Sequence, residues 1–246
     1  MKSFILSTLL SCFFFSLFFL WVCPRVSKTP VPSNQEERLI RHRYYVSSYD
    51  AVRKNPRWVC WEIAPGMEKR LERTGSFSSD PLFKTPSPSN FKGSGYDIGH
   101  MCPVFDMGFD ETALAECFYI GNVSPQNQNL NRGLWKELEE KTHKEGMLKP
   151  VFCICGPLFR VSPQKIGKDG ICVPSRFWKV NLGGTCTVDR AWIFNNAESK
   201  GSLNEYRIGI RELQEITGIS FSNCTNIFLL KTKSKNKLFF ALDRSD

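Results

Sequence analysis

A chain of 246 residues that is 41% hydrophobic, with 20 Phe and 6 Trp, can bury a core of ordinary domain size, which excludes global disorder. A formal charge of +9 favours polyanionic partners, nucleic acid or an anionic lipid surface, over cationic ones. The even count of 10 cysteines points to disulfides in an oxidising compartment, and the absence of any C-x-x-C spacing ranks structural zinc low.

At the N-terminus, Phe4 to Val22 form an almost unbroken apolar run. At about 1.5 Å per residue it measures roughly 28 Å, the thickness of a bilayer core. With Lys2 before it and Pro24 after it, residues 1–23 read as a signal peptide or signal anchor that carries the chain to or across a membrane. The expected location is exported: periplasmic, secreted or membrane-anchored. Residues 24–50 are polar and basic and read as a linker or a first helix, in which His42, between two arginines, is expected to be solvated. The folded domain is expected over residues 51–246.

Within that domain, the β-forming residues from Trp58 to Pro65 predict a strand. A long irregular loop, rich in Pro and Gly, follows to Gly95. Tyr96 to His100 has no helical period. From Asn129, leucines recur at 130, 134 and 138 with Trp135 beside them, predicting an amphipathic helix to about Lys144 that Gly146 ends. In a continuous helix Asn131 and Glu139 lie about 12 Å apart along the axis and about 80° apart around it, too far to hold one ion directly with ease. Further strands are predicted at 151–156, 177–182 and 191–194, then a helix from Leu203 to Thr217 capped by Gly218. Cys153 and Cys155 would share one strand face, bridged or simply buried. Lysines at 231, 233, 235 and 237 read as a solvated strand end or as groups that meet phosphates. Strands without a regular βαβ alternation favour an α+β domain.

Tyr96-Asp97-Ile98-Gly99-His100 resembles the Asp-Arg-Gly-His signature of the DNA/RNA non-specific endonucleases. Asn122-Val123-Ser124-Pro125-Gln126, then Leu130-Asn131-Arg132-Gly133-Leu134-Trp135 and Leu138-Glu139, match that family's pattern at its own spacing. Gly156-Pro157-Leu158 and Val173 to Val180 resemble later family segments, so the likeness covers roughly Trp58 to Ser220.

The resemblance implies a ββα-metal (His-Me finger) fold, with a central, mainly antiparallel sheet and flanking helices. It implies a phosphodiesterase cutting DNA and RNA with little sequence preference to leave 5′-phosphorylated ends, and a possible homodimer. His100 would be the general base, Asn131 the direct ligand of a single Mg²⁺ (with Mn²⁺ as a substitute), and Glu139 a residue that acts on the ion through water. Asn122 would organise the site by hydrogen bonds. Arg73, Arg132 and His143 would hold phosphate. Two departures stand out: Ile98 replaces the signature's arginine, and His143 stands where relatives often carry arginine. They motivate a rival reading, a family member that binds nucleic acid without cutting it. The cysteines motivate a second, a disulfide-stapled envelope protein.

Overall fold

The computed structural model describes residues 39–72, 75–183 and 190–221. The N-terminal apolar run, Arg73, Cys186, Cys224 and the C-terminal lysines lie outside them. Among the described residues no helix is long and apolar enough to cross a membrane.

In chain order the strands are β1 (Leu39–Arg41), β2 (Tyr45–Asp50), β3 (Asn55–Ile63), β4 (Asp97–His100), β5 (Val123–Gln126), β6 (Val151–Leu158), β7 (Lys165–Ile166), β8 (Ile171–Cys172), β9 (Arg176–Gly183), β10 (Arg190–Asn195) and β11 (Arg207–Ile208). The helices are α1 (Val104–Met107), α2 (Glu111–Cys117), α3 (Gln128–Arg132), α4 (Leu134–Leu148) and α5 (Ile210–Thr217). Seven strands form one antiparallel sheet in the order β1-β2-β3-β6-β9-β10-β11. β4 and β5 pair separately as a hairpin, and α3 follows directly.

The middle strands read as apolar runs because both of their faces are covered. Val59, Cys60 and Trp61 are consecutive in β3 and all buried, as are Phe152 to Cys155 in β6. α4 packs on β3 and β6 through its own buried stripe of Leu134, Trp135 and Leu138. Trp58, Trp61, Trp135 and Trp178 are fully buried in this core. β5 and the tight turn Ile120–Asn122 contact β3, which fixes the hairpin to the sheet.

Several expectations are corrected here. Residues 39–50, read as part of a linker, carry the edge strand β1 and its neighbour β2, with Tyr45 in register opposite Trp61. Their composition misleads because buried Ser47 and Ser48 occupy core-facing positions. His42 is buried, its Nε2 3.0 Å from the Asp80 carboxylate and its ring 4.4 Å from that of Tyr45. The helix predicted over 203–217 divides into a short 3-10 turn (Leu203–Tyr206), β11 and α5, although Gly218 does cap it with a left-handed φ of 68°. The six described cysteines, Cys60, Cys102, Cys117, Cys153, Cys155 and Cys172, are all buried free thiols, so none of them carries the expected disulfide.

Gly146 does not end α4, which continues to Leu148. The glycine is there because the helix crosses β3 closely: a Cβ at this position would stand 2.4 Å from Cγ2 and 2.6 Å from Cβ of Ile63. Gly146→Ala gains about 1 kcal/mol of helix propensity. It also overpacks a core contact that has no flexible end to give way, at a cost of about 1–3 kcal/mol. The clash is expected to dominate, lowering the thermal midpoint by a few degrees; a melt at or above the parent's contradicts this close packing.

Candidate active site

The hairpin and the helix after it carry the chemistry. β4 ends in His100, whose backbone partner across the hairpin is Val123. The imidazole is flanked by aromatic rings, with Phe77 at 5.1 Å and Phe118 edge-on at 5.5 Å. Immediately beyond it the chain is fixed by Asn122, which is fully buried. The Asn122 amide oxygen accepts from the Cys102 N–H (2.9 Å), and its NH₂ donates to the carbonyls of Cys102 (2.8 Å) and Cys117 (2.9 Å). The Met101 N–H donates to the Asn122 carbonyl at 2.8 Å. Asn122 therefore organises the site without reaching into it.

Asn131 and Glu139 arrive on two helices and not on one. Asn127 caps α3, accepting from the N–H groups of Asn129 and Leu130, and the helix stops at Gly133. A side chain at 133 would put its Cβ 2.5 Å from the Asn129 carbonyl oxygen, so the bend requires glycine. α4 then departs in a new direction. The straight-helix separation of Asn131 and Glu139 does not apply, and both line one cavity of about 470 Å³ together with His100. Pro103, Val104, Phe105, Arg132, Lys136 and Glu140 complete its walls, the last two in an exposed pair 3.8 Å apart.

Asp97 ties the two parts together. Its Oδ2 accepts from the Asn131 Nδ2 (2.9 Å) and the Arg132 Nε (2.9 Å), and its Oδ1 accepts from the Arg132 Nη2 (2.7 Å). The Arg132 guanidinium, and after it the Asn131 amide, hold the Asp97 carboxyl below the usual carboxylate range. Because Asn131 gives its nitrogen to Asp97, its amide orientation is set and the oxygen is left as the donor for a cation.

Glu139 keeps part of its surface on the cavity, while its Oε1 is shut off from solvent and has no hydrogen-bond partner. Burial pushes its pKa up to about 8; nearby Lys179 opposes the shift, Asp106 adds to it, and the Trp135 indole opposes it. Lys179 is fully buried on β9, its ammonium 5.0 Å from the Trp61 ring centroid and 5.8 Å from that of Trp135. Burial works to lower the lysine, but the acidic groups around it (Cys153, Glu139, Cys155 and Asp106) hold it above its ordinary value. Burial also drives the pKa values of Cys153 and Cys155 upward.

The remaining expected residues divide. Arg132 lines the cavity mouth. His143 does not serve there: it is buried, with Nδ1 2.9 Å from the Asp106 carboxylate and its ring edge-on to Phe105 at 4.4 Å. Asp106 also accepts from the Trp61 indole at 2.8 Å, so His143 belongs to a buried polar chain behind the cavity wall. Ile98 packs on a small apolar cluster that includes Phe91, Val123 and Val173, and the cation missing from the signature has no place there. Arg73 lies outside the described residues. Sequence reading missed Asp97 as the tie, Lys179 and Lys136; only Asp97, a fixed letter of the signature, offered a signal.

The donor set suits a hard, hydrated divalent cation: one oriented amide oxygen, one enclosed carboxylate oxygen, and room for water. Among the described residues no group of three His, Cys, Asp or Glu gathers, so carboxylate-cage and thiolate sites are not the pattern here. A carboxyl raised in the folded state favours the fold fully below pH about 4.5, and that contribution is lost as pH rises through about 8. In metal-free protein, Glu139→Gln is therefore expected to gain stability over the parent between pH 5 and 8. The gain is expected to be about 1–3 kcal/mol, reduced from the full shift because cavity water reaches the side chain. Parallel pH profiles for parent and variant contradict this.

Residues 24–227 match the family model described as DNA/RNA non-specific endonuclease. The chain is 31% identical over 204 residues to the mitochondrial nuclease EXOG of Danio rerio, covering 72% of this chain and 58% of that protein. It is 27% identical over 202 residues to the mitochondrial endonuclease G of Homo sapiens, covering 72% and 67%. It is 25% identical over 210 residues to a nuclease of a Nostoc strain, covering 78% and 76%. The chain spans a little over half the length of the EXOG proteins that it matches. A solved chain from the EndoG/EndoGI complex shares the fold, with a TM-score of 0.73 over 81% of this chain and 90% of that one at 22% identity. With its sheet, its ββα hairpin-helix unit and this match, the chain belongs to the DNA/RNA non-specific endonuclease family.

Proposed function

We propose that the chain hydrolyses phosphodiester bonds in DNA and RNA with little sequence preference. One observation carries the reading: a single cavity gathers a base, an oriented amide oxygen and an enclosed carboxylate from three different elements. His100, at the cavity wall, takes the proton from the attacking water. Asn131 holds the ion through its amide oxygen, and Glu139 orients water bound to it. Mg²⁺ is the ion proposed, which when bound supplies Lewis acidity to a phosphate oxygen and neutralises the charge of the leaving 3′ oxygen. Asp97 keeps the Asn131 amide from turning. Arg132 and Lys136 stand at the mouth, where phosphates approach. Contacts to phosphates carry no base information, which accounts for broad specificity.

The N-terminal apolar run takes the domain to a membrane-bounded compartment, and the mitochondrial relatives fit that reading. Arg132 takes up the phosphate-holding part that Ile98 cannot supply, since an aliphatic side chain donates no hydrogen bond. Binding without cutting is the reading to beat.

Supercoiled plasmid and single-stranded RNA, incubated with the exported domain and Mg²⁺, are expected to be cut, and chelator is expected to stop it. His100→Ala is expected to lose about 100- to 10,000-fold in rate with nucleic-acid affinity retained. Asn131→Ala is expected to lose a similar factor and to weaken Mg²⁺ binding in calorimetry. Retention of DNA by a parent that cuts neither substrate would establish the binding protein instead. A His100→Ala variant as fast as the parent would remove His100 as base.

A further inference from the structure

A second cavity, of about 570 Å³, opens at the other end of β4 from His100. Tyr96, the residue before β4, lines it, with Arg160, Gln164, Ser175, Asn195 and Asn196 around it. No carboxylate lines this cavity, and Arg160 makes no ion pair among the described residues. The chemistry is that of an anion carrying a flat, hydrogen-bonding group: one available guanidinium, one aromatic ring, and amides that both donate and accept.

The cavity is built and not incidental. The Asn196 amide nitrogen donates to the carbonyls of Pro125 (3.1 Å) and Pro174 (2.9 Å), and its oxygen accepts from the Asn127 N–H at 2.7 Å. The Tyr96 hydroxyl donates to the Gln164 Oε1 at 3.3 Å. The wall is thus fastened to the segment between β5 and α3, which also positions Asn131. Four residues of strand separate Tyr96 from His100, about 13 Å at strand rise. Unpaired nucleotides are spaced more widely than the about 3.4 Å rise of a duplex, so this distance is roughly two to four nucleotides.

We propose that this cavity is a second nucleotide site, taking one unpaired nucleotide of the strand being cut, a few positions from the scissile phosphate. Its phosphate meets Arg160, and its base lies against Tyr96 and the amide side chains. The inference rests on the nuclease reading of the first cavity. A ring accepts any base face, so the site adds affinity without adding sequence preference. A base that stacks there has left its partner, so the site favours single-stranded over duplex substrate.

The test compares Arg160→Ala and Tyr96→Leu with the parent on a DNA strand of about twelve nucleotides and on a dinucleotide, whose one phosphodiester occupies the first cavity and leaves nothing for the second. Each variant is expected to lower kcat/KM on the long strand about ten-fold, the size of one stacking or charge-assisted contact, and to leave the dinucleotide unchanged. Equal losses on both lengths, or no loss on the long strand, overturn the proposal. Fluorescence-anisotropy binding of the long strand in chelator gives a readout that needs no cutting. If the parent cuts nothing but Arg160→Ala still binds about ten-fold more weakly, the nuclease reading falls and the second site stands. If the variants bind as the parent does, the second site falls whatever the parent cuts.

Discussion

One carboxylate joins the two halves of the site. Asp97 sits at the start of β4 and accepts three hydrogen bonds from the end of α3, one from Asn131 and two from Arg132. The strand that ends in His100 and the helix that carries Asn131 are thereby held as one body. A bidentate arginine fixes both distance and angle, where a single bond would leave the helix free to pivot. The bond to the Asn131 nitrogen decides which atom of that amide faces the cavity. Asn122 does the same for the stretch after His100, with three side-chain bonds to buried backbone. Removing such an amide would strand several buried polar groups at about 1–3 kcal/mol each, which explains why it is an internal brace and not a ligand.

Behind these contacts lies an unusual core. Lys179 sits wholly inside, against two tryptophan faces, on the strand next to β6. A buried ammonium without a hydrogen-bond partner is costly, and an isolated one would lose its proton. Here the acidic groups around it, Cys153 first and then Glu139, Cys155 and Asp106, hold the charge on it. The reverse also holds: the lysine moderates the rise that burial imposes on Glu139. The cavity wall therefore has a buried ammonium beneath it and, in Glu139, an acidic side chain whose pKa burial pushes up to about 8. Asp106 extends this chain to His143 and Trp61, which places behind the wall a histidine that the family resemblance assigned to phosphate.

The central strands were legible because a strand covered on both faces is an apolar run bounded by turns, and β3, β6, β9 and β10 fall where such runs occur. The signature segments placed His100, Asn122, Asn131 and Glu139 around one site, since the order of a motif survives where local propensity is silent. What sequence hid was tertiary in origin. β1 is a short edge strand and β2 beside it buries two serines, so their composition imitates a linker. His42 is paired with Asp80 far along the chain, and nothing near it in sequence announces that partner. Gly146 resembles a helix stop, yet it answers to Ile63 across the helix-sheet contact. Gly133 bends the chain between α3 and α4, which brings together two side chains that an unbroken helix would hold apart. The parity of the cysteines was no guide, because buried free thiols and bridged ones leave the same count.

His100 and Asn131 are proposed to serve one phosphate. Residues that act as a unit lose their effects together, whereas independent ones lose them in sum. A double-mutant cycle on kcat/KM for plasmid cleavage, with His100→Ala, Asn131→Ala and the pair, measures this directly. A double variant no slower than the slower single one is the result expected. Losses that multiply across the pair would show two separate contributions and contradict a single catalytic centre.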